Sequence, residues 1–416
     1  MIILLYPRNT MAKKFDIPEI YRSPIIKRIK ESRQILDPRK KDVTPSVLDF
    51  GPVRFLIPRH FGFCYGVENA IDIAYRTIEQ NPGRNIYLLS EMIHNPTVNN
   101  DLLNRGVKFL FETDGTPIIP IESLTEEDIV IVPAFGTTIE IQKRLEERGV
   151  NPYQYDTTCP FVEKVWNRGS QLGKKGHSLV IHGKDTHEET RATFSHSRQH
   201  SDVVVVFNPA EARILAEIML EERPVSDFDQ HFGHKCTPGF NPLVHLEKFG
   251  VINQTTMLAT ETREVMEILR EAAVKKYGAA DIADHFSDTS DTLCYATNEN
   301  QSATYGLLDE AADLAIVVGG YNSSNTMHLV ELLETKFPTY HVRDAKEIGS
   351  PGEIRHFNQW DKSMHVTRDW LPGNSPLTVA ITSGASCPDA LVDEVILKIC
   401  SYFNETVSIE EAMAGF

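Results

Sequence analysis

Three cysteines carry the strongest chemical signal in this chain. Cys64 lies in Gly62-Phe-Cys-Tyr-Gly-Val67, Cys159 in Asp156-Thr-Thr-Cys-Pro-Phe161, and Cys294 in Asp291-Thr-Leu-Cys-Tyr-Ala-Thr297. They are too far apart in sequence for a local finger or knuckle, so they meet only if the fold brings them together. A lone cysteine is often a small buried apolar residue, and Cys236, Cys387 and Cys400 read that way. The first three differ, because each stands just ahead of a helix-like segment. Free amides and the helix dipole favour a thiolate there. Three converging thiolates suit an iron–sulfur cluster with one iron left free for a substrate, and zinc takes the same ligands.

Other polar residues gather at similar places. His94 and His187 follow strand-like runs and are candidates for an anion or proton-transfer site, with Glu189 beside them as a possible proton donor. Asn322-Ser-Ser-Asn325, Thr382-Ser-Gly-Ala-Ser386 and Gln254-Thr-Thr256 each put small hydroxyls and amides where a strand ends. One such cluster would be ordinary helix capping. Three of them, beside three cysteine motifs, point to a pocket for a polyanion. The chain has neither a Walker phosphate loop nor a dinucleotide Gly-x-Gly-x-x-Gly, so ATP and NADPH are not expected in those binding modes.

The elements that must position these groups alternate. Apolar runs at 53–57, 85–89, 128–132, 177–181, 202–207, 311–318 and 377–381 lead into the polar motifs, and helical spacing follows at 67–80, 140–148, 327–335 and 389–400. Continuous apolar strands alternating with helices predict an α/β fold with mostly parallel sheets, whose ligands bind beyond the carboxyl ends of the strands. At 416 residues the chain suits several domains. The expected division is an N-terminal extension at 1–52 with one exposed helix at 24–36, then α/β domains at 53–158, 159–293 and 294–416. Residues 221–250 read as a loop insertion without regular structure. A net charge of −16 argues against nucleic-acid or anionic-membrane partners. The apolar start at 1–7 is too short to span a bilayer, and Met11 is a possible second start. Six sparse cysteines fit a reducing, cytoplasmic compartment, or a plastid in a plastid-bearing organism.

In order along the chain, Gly62-Phe-Cys-Tyr-Gly-Val67, Ile93-His-Asn-Pro96, Thr158-Cys-Pro160, Gln254-Thr-Thr256, Cys294-Tyr-Ala-Thr297, Gly320-Tyr-Asn-Ser-Ser-Asn325 and Gly384-Ala-Ser386 closely resemble the 4-hydroxy-3-methylbut-2-enyl diphosphate reductase family. That family catalyses the last step of the methylerythritol phosphate route to isoprenoids. The resemblance implies three similar α/β domains in a trefoil around a [4Fe-4S] cluster. Cys64, Cys159 and Cys294 would be its ligands, with one iron not held by cysteine. It also implies a substrate diphosphate bound by His94, His187, Thr255, Ser323, Ser324, Asn325 and Ser386, with Glu189 delivering protons. The products would be isopentenyl and dimethylallyl diphosphates, and the electrons would come singly from a donor such as ferredoxin or flavodoxin. Where many bacterial members carry a histidine, this chain reads Ala134-Phe135-Gly136, as the plant and cyanobacterial branch does; Phe135 is therefore not expected to be a ligand. A regulatory metal protein and a different iron–sulfur dehydratase are the competing readings.

Overall fold

The computed structural model describes residues 15–287 and 292–416. The apolar start, Met11 and Asp291 lie outside the described residues. Among those residues the strands form three sheets. One has the order Lys108–Phe109, Ile86–Leu88, Ile129–Ile131, and another the order Val203–Val206, Ser178–His182, Phe249–Asn253, Phe286–Ser287. All pairs in these two are parallel. The strands Val203–Val206, Ser178–His182 and Phe249–Asn253 are buried at every position, because helices cover both faces of a parallel sheet.

The largest sheet has eight strands. Its parallel centre is Val53–Ile57, Leu377–Ser383, Leu314–Val318 and Thr339–Val342, and antiparallel strands flank it on both sides. The fold class is thus the expected α/β with mostly parallel sheets, but the three units are unequal, with sheets of eight, three and four strands. The difference comes from edge strands at Ile348–Ser350, Glu353–Asn358 and Ser363–Arg368, and from Ser46–Asp49 at the other edge.

Three expectations need correction. Val53–Ile57 leads into Cys64, yet it pairs with Leu377–Ser383 rather than with the strands that follow it. The segment 53–158 is therefore divided between two sheets. The helix Pro24–Leu36 forms where expected but is not an exposed appendage. Ile25, Ile26 and Ile29 are buried in the same core as Val392, Val395 and Ile399 of the helix Asp389–Cys400. Three apolar side chains on one face of a helix must find a partner, and this sheet's covering helix is that partner. Residues 221–250 are likewise structured: Asp227–Phe232 and Pro242–His245 are short helices, and Phe228, Phe232 and Phe240 pack into the core of the four-stranded unit.

No helix among the described residues is long and apolar enough to cross a membrane.

Ile26 is fully buried. Ile26→Ala should lower the unfolding free energy by about 2–5 kcal/mol, the usual range for a large-to-small core change. Urea denaturation measures this, and an unchanged midpoint would show that the N-terminal helix is not part of the core.

Candidate active site

The polar motifs lie where the three sheets end, and the helices that follow them begin at one place. Cys64 is the N-cap of Tyr65–Gln80, Cys159 of Pro160–Gly173 and Cys294 of Tyr295–Asp309. His187 caps Glu188–Ser197, and Ser323 caps Ser324–Glu334. All five of these residues line a single cavity of about 90 Å³. Each cysteine amide is tied to a neighbouring loop of the site. The Cys64 N–H donates to Ala385 O (3.2 Å), Cys159 N–H to Ala134 O (2.9 Å) and Cys294 N–H to Thr255 O (3.3 Å).

The three thiols feel one another. Burial pushes Cys64 up to about 12, and Cys294 and Cys159 push in the same direction, while the amides of Gly66 and Val67 oppose. Burial raises Cys159 to about 11. It raises Cys294 as well, against the hydroxyl and amide of Thr297, which stand 3.0 and 3.2 Å from its sulfur. Such a trio holds its thiolates only around a compensating positive group. A single zinc ion would draw its ligands to about 2.3 Å from one centre. Among the described residues no three His, Cys, Asp or Glu side chains are grouped closely enough for that. Sulfurs spaced around a cavity fit a polynuclear cluster better, so the donor set is compatible with the iron–sulfur group expected. Gly66 contributes to the spacing: a Cβ there would lie 2.5 Å from the Cys159 sulfur.

The rest of the lining mixes apolar walls such as Ile93, Phe135, Phe161 and Val162 with polar groups, and carries neither lysine nor arginine. Thr255, Ser323, Ser324, Asn325 and Ser386 all face the cavity with His94, His187 and Glu189. Asn325 is held by its oxygen, which accepts from Ala385 N (2.8 Å) and from Asn300 Nδ2 (3.3 Å). Its own Nδ2 is buried without a partner. An orphaned donor at a helix start is suited to an anion oxygen. Ser386 Oγ lies 3.4 Å from Ser323 Oγ, and Gln254 Nε2 donates to Ser324 Oγ (3.2 Å), so the hydroxyls are mutually oriented.

The histidine tautomers follow from the network. His187 Nδ1 accepts the Glu189 N–H (3.2 Å), so neutral His187 carries its proton on Nε2. That nitrogen points at His94 Nε2, 3.3 Å away. His94 Nε2 is then the acceptor, and its Nδ1–H faces Glu91 Oε2 at 3.5 Å. Burial drives the His187 pKa well below the ordinary value, with His94, Lys184 and Arg191 adding to the effect. A charged His187 near pH 6.5 is therefore not present before a ligand binds.

Glu189 is 1 % exposed, and burial raises its carboxyl to about 7 against the Thr255 amide and hydroxyl that donate to it at 2.5 and 3.1 Å. Phe135, where a histidine was missed, stacks on His94 with ring centroids 4.2 Å apart. It lines the cavity as an apolar wall. Residues that sequence reasoning did not single out include Thr297, which bonds the Cys294 sulfur, and Asn300, which fixes Asn325. Thr297 stood inside a motif already noticed; Asn300, mid-helix, left no signal.

Residues 55–400 match the model of the LytB protein family. The chain is 40 % identical over 352 residues to the 4-hydroxy-3-methylbut-2-enyl diphosphate reductase of Gloeobacter violaceus, covering 84 % of this chain and 83 % of that one. It is 39 % identical over 357 residues to the enzyme of the same name from a Synechococcus species, covering 85 % and 86 %. The solved E-1-hydroxy-2-methyl-but-2-enyl-4-diphosphate reductase of Plasmodium falciparum shares the fold, with a TM-score of 0.57 and 20 % identity over 81 % of this chain and 85 % of that one. A family match that runs from the first strand of the large sheet's parallel centre to the last residue of the helix Asp389–Cys400, with relatives near 40 % identity over most of both chains, means that this chain belongs to the LytB family.

Proposed function

We propose that this protein reduces 4-hydroxy-3-methylbut-2-enyl diphosphate, removing its hydroxyl as water. Two electrons and two protons are consumed, and isopentenyl and dimethylallyl diphosphates are formed. The observation that carries this reading is the make-up of one cavity: three thiols at helix N-cap positions, a ring of neutral anion donors, and a buried acid poised near 7. The family match and the named relatives support the same reaction.

In this reading Cys64, Cys159 and Cys294 hold a [4Fe-4S] cluster that leaves one iron without cysteine. When bound, the cluster supplies electrons singly and a Lewis-acidic iron. The chain's own groups do the remainder. Thr255, Ser323, Ser324, Asn325 and Ser386, with the imidazoles of His94 and His187, bind the diphosphate through side-chain donors and helix-start amides. Glu189 keeps a proton near the substrate because burial disfavours its charge. Phe135 closes the wall beside His94 against water. Delivery of single electrons calls for a protein donor such as ferredoxin or flavodoxin. Six free cysteines among the described residues support a reducing compartment, cytoplasmic or plastid-like.

The deciding experiment is anaerobic turnover of the hydroxylated substrate with dithionite and a viologen, with both products quantified. An iron-loaded protein without turnover would overturn the reading.

Cys64→Ser, Cys159→Ser and Cys294→Ser should each lose most of the iron, since a hydroxyl is a far poorer ligand than a thiolate. Cys400→Ser should retain it. Gly66→Ala should also lower iron content without unfolding its helix, because the added Cβ displaces the Cys159 sulfur; full iron loading in that variant would contradict the geometry.

Glu189 donates only while protonated. Its raised pKa means that the proton is present below about 7 and lost as pH rises through it. Single-turnover rates should decline above that pH, and Glu189→Gln should flatten the decline while slowing turnover by about 10²–10⁴-fold. Rapid-quench measurements would show this, and a variant within a few-fold of wild type would move the proton source elsewhere.

Ser324→Ala should weaken substrate binding by about 1–3 kcal/mol, the penalty for an unpartnered buried oxygen. Calorimetric titration gives the number directly, and unchanged affinity would remove Ser324 from the diphosphate site.

A further inference from the structure

Behind the cavity wall stand two carboxylates that the proposed reaction does not use. Glu188, next to Glu189 in sequence, is 8 % exposed and does not line the cavity. Its Oε1 accepts the Ser90 hydroxyl. Its Oε2 is buried without a hydrogen-bond partner and lies 3.9 Å from His94 Nε2. On the other side of the imidazole, Glu91 Oε2 stands 3.5 Å from Nδ1 and is held in place by Asn322 Nδ2 at 2.8 Å. Phe135 covers one ring face. His94 therefore stands between two carboxylates, one near each ring nitrogen.

The hydrogen-bond network around His94 sets a problem for an anion. With His187 donating to it, His94 Nε2 is a bare acceptor and would repel a phosphate oxygen. Once a diphosphate accepts the His187 Nε2–H, His94 faces the ligand favourably when its Nε2 also carries a proton, and with Nδ1–H kept on Glu91 the ring is then an imidazolium. The cavity lining contains no lysine or arginine to supply positive charge instead. An unpartnered buried carboxylate oxygen beside Nε2 is the group that makes such an imidazolium favourable.

We propose that Glu188 is a positioning residue that, together with Glu91, brackets His94 and makes that imidazole the cation of the pocket when a diphosphate binds. The proposal rests on the reading of the cavity as a diphosphate site. The groups facing the pair are known. Glu188 meets Ser90, His94, Arg191 and Glu91; burial pushes its carboxyl up, and His94, Ser90 and Arg191 oppose that. His94 also meets His187 and Phe135 and lies within the field of Glu189.

The test measures binding of inorganic pyrophosphate to the cluster-loaded protein across the neutral and mildly alkaline range, with cluster absorbance as the check on folding. Glu188→Gln keeps the shape and removes the charge. The pH at which affinity falls away should move to lower pH by about one unit, since an opposite charge within about 4–6 Å shifts a neighbour by roughly 1–3 units. On the alkaline side this is roughly tenfold weaker binding, with little change on the acid side. Ser90→Ala leaves Glu188 easier to protonate and should move the limb in the same direction by less, and His94→Gln should abolish it. Uniform weakening at every pH, as expected for a merely structural residue, or an unmoved limb in Glu188→Gln would overturn the proposal. Failure of the wild-type protein to bind pyrophosphate at all would instead overturn the diphosphate reading on which it rests.

Discussion

Five helices begin at one small cavity, and the remainder of the site depends on that arrangement. Cys64, Cys159, Cys294, His187 and Ser323 are all N-caps, so each brings the unpaired amides and the positive dipole end of its helix to the same place. The fields add because the sheets of all three units end there. A cavity built this way can receive thiolates and phosphate oxygens without a single lysine or arginine in its lining. Backbone charge is fixed in direction and needs no long side chain to be ordered, which suits a site where acid, imidazole and sulfur share a few ångströms.

The same enclosure sets the protonation states. Removal of water disfavours every charge, so one cause pushes Glu189 and the three thiols up and His187 down. Burial leaves Glu189 poised near 7 and His187 neutral. Charge enters with the ligands rather than residing in the walls. Under the proposed function, hydroxyls and amides would donate to phosphate oxygens at any pH and leave the acid free to titrate.

The segments that looked peripheral are structural. The helix Pro24–Leu36 covers the core beside Asp389–Cys400, and Ser46–Asp49 extends the sheet to which Val53–Ile57 belongs. Cys64 is thus aimed by a strand embedded in the C-terminal sheet. Its amide bonds to Ala385 of the same unit, while its helix packs with the three-stranded one. The cysteine sits at the seam, and two units must be in register for its sulfur to reach the cavity. Gly320 marks another seam, because a Cβ there would collide with the His94 carbonyl.

Much of this was legible in the residues alone. Apolar runs placed the strands around the cavity, and the helix Asp389–Cys400 forms as its periodicity indicated. Cys64, Cys159, Cys294, Ser323–Asn325 and Ser386 stood out because donors and thiols at strand ends are a local pattern, and all of them line the one cavity. Residues 221–250 were misread since short helices pinned by Phe228, Phe232 and Phe240 have no period long enough to see. The pairing of Val53–Ile57 with Leu377–Ser383 was invisible because hydrophobicity records that a strand is buried, not which strand lies beside it. Glu189 could be singled out from sequence, but the surroundings of Glu188 could not: adjacent carboxylates on one helix face different neighbours. The local order of the chain determined which groups could do chemistry and which elements carried them. Tertiary structure alone decided how those groups are charged and which of them meet, because dielectric environment and contact across hundreds of residues are properties of the packed fold.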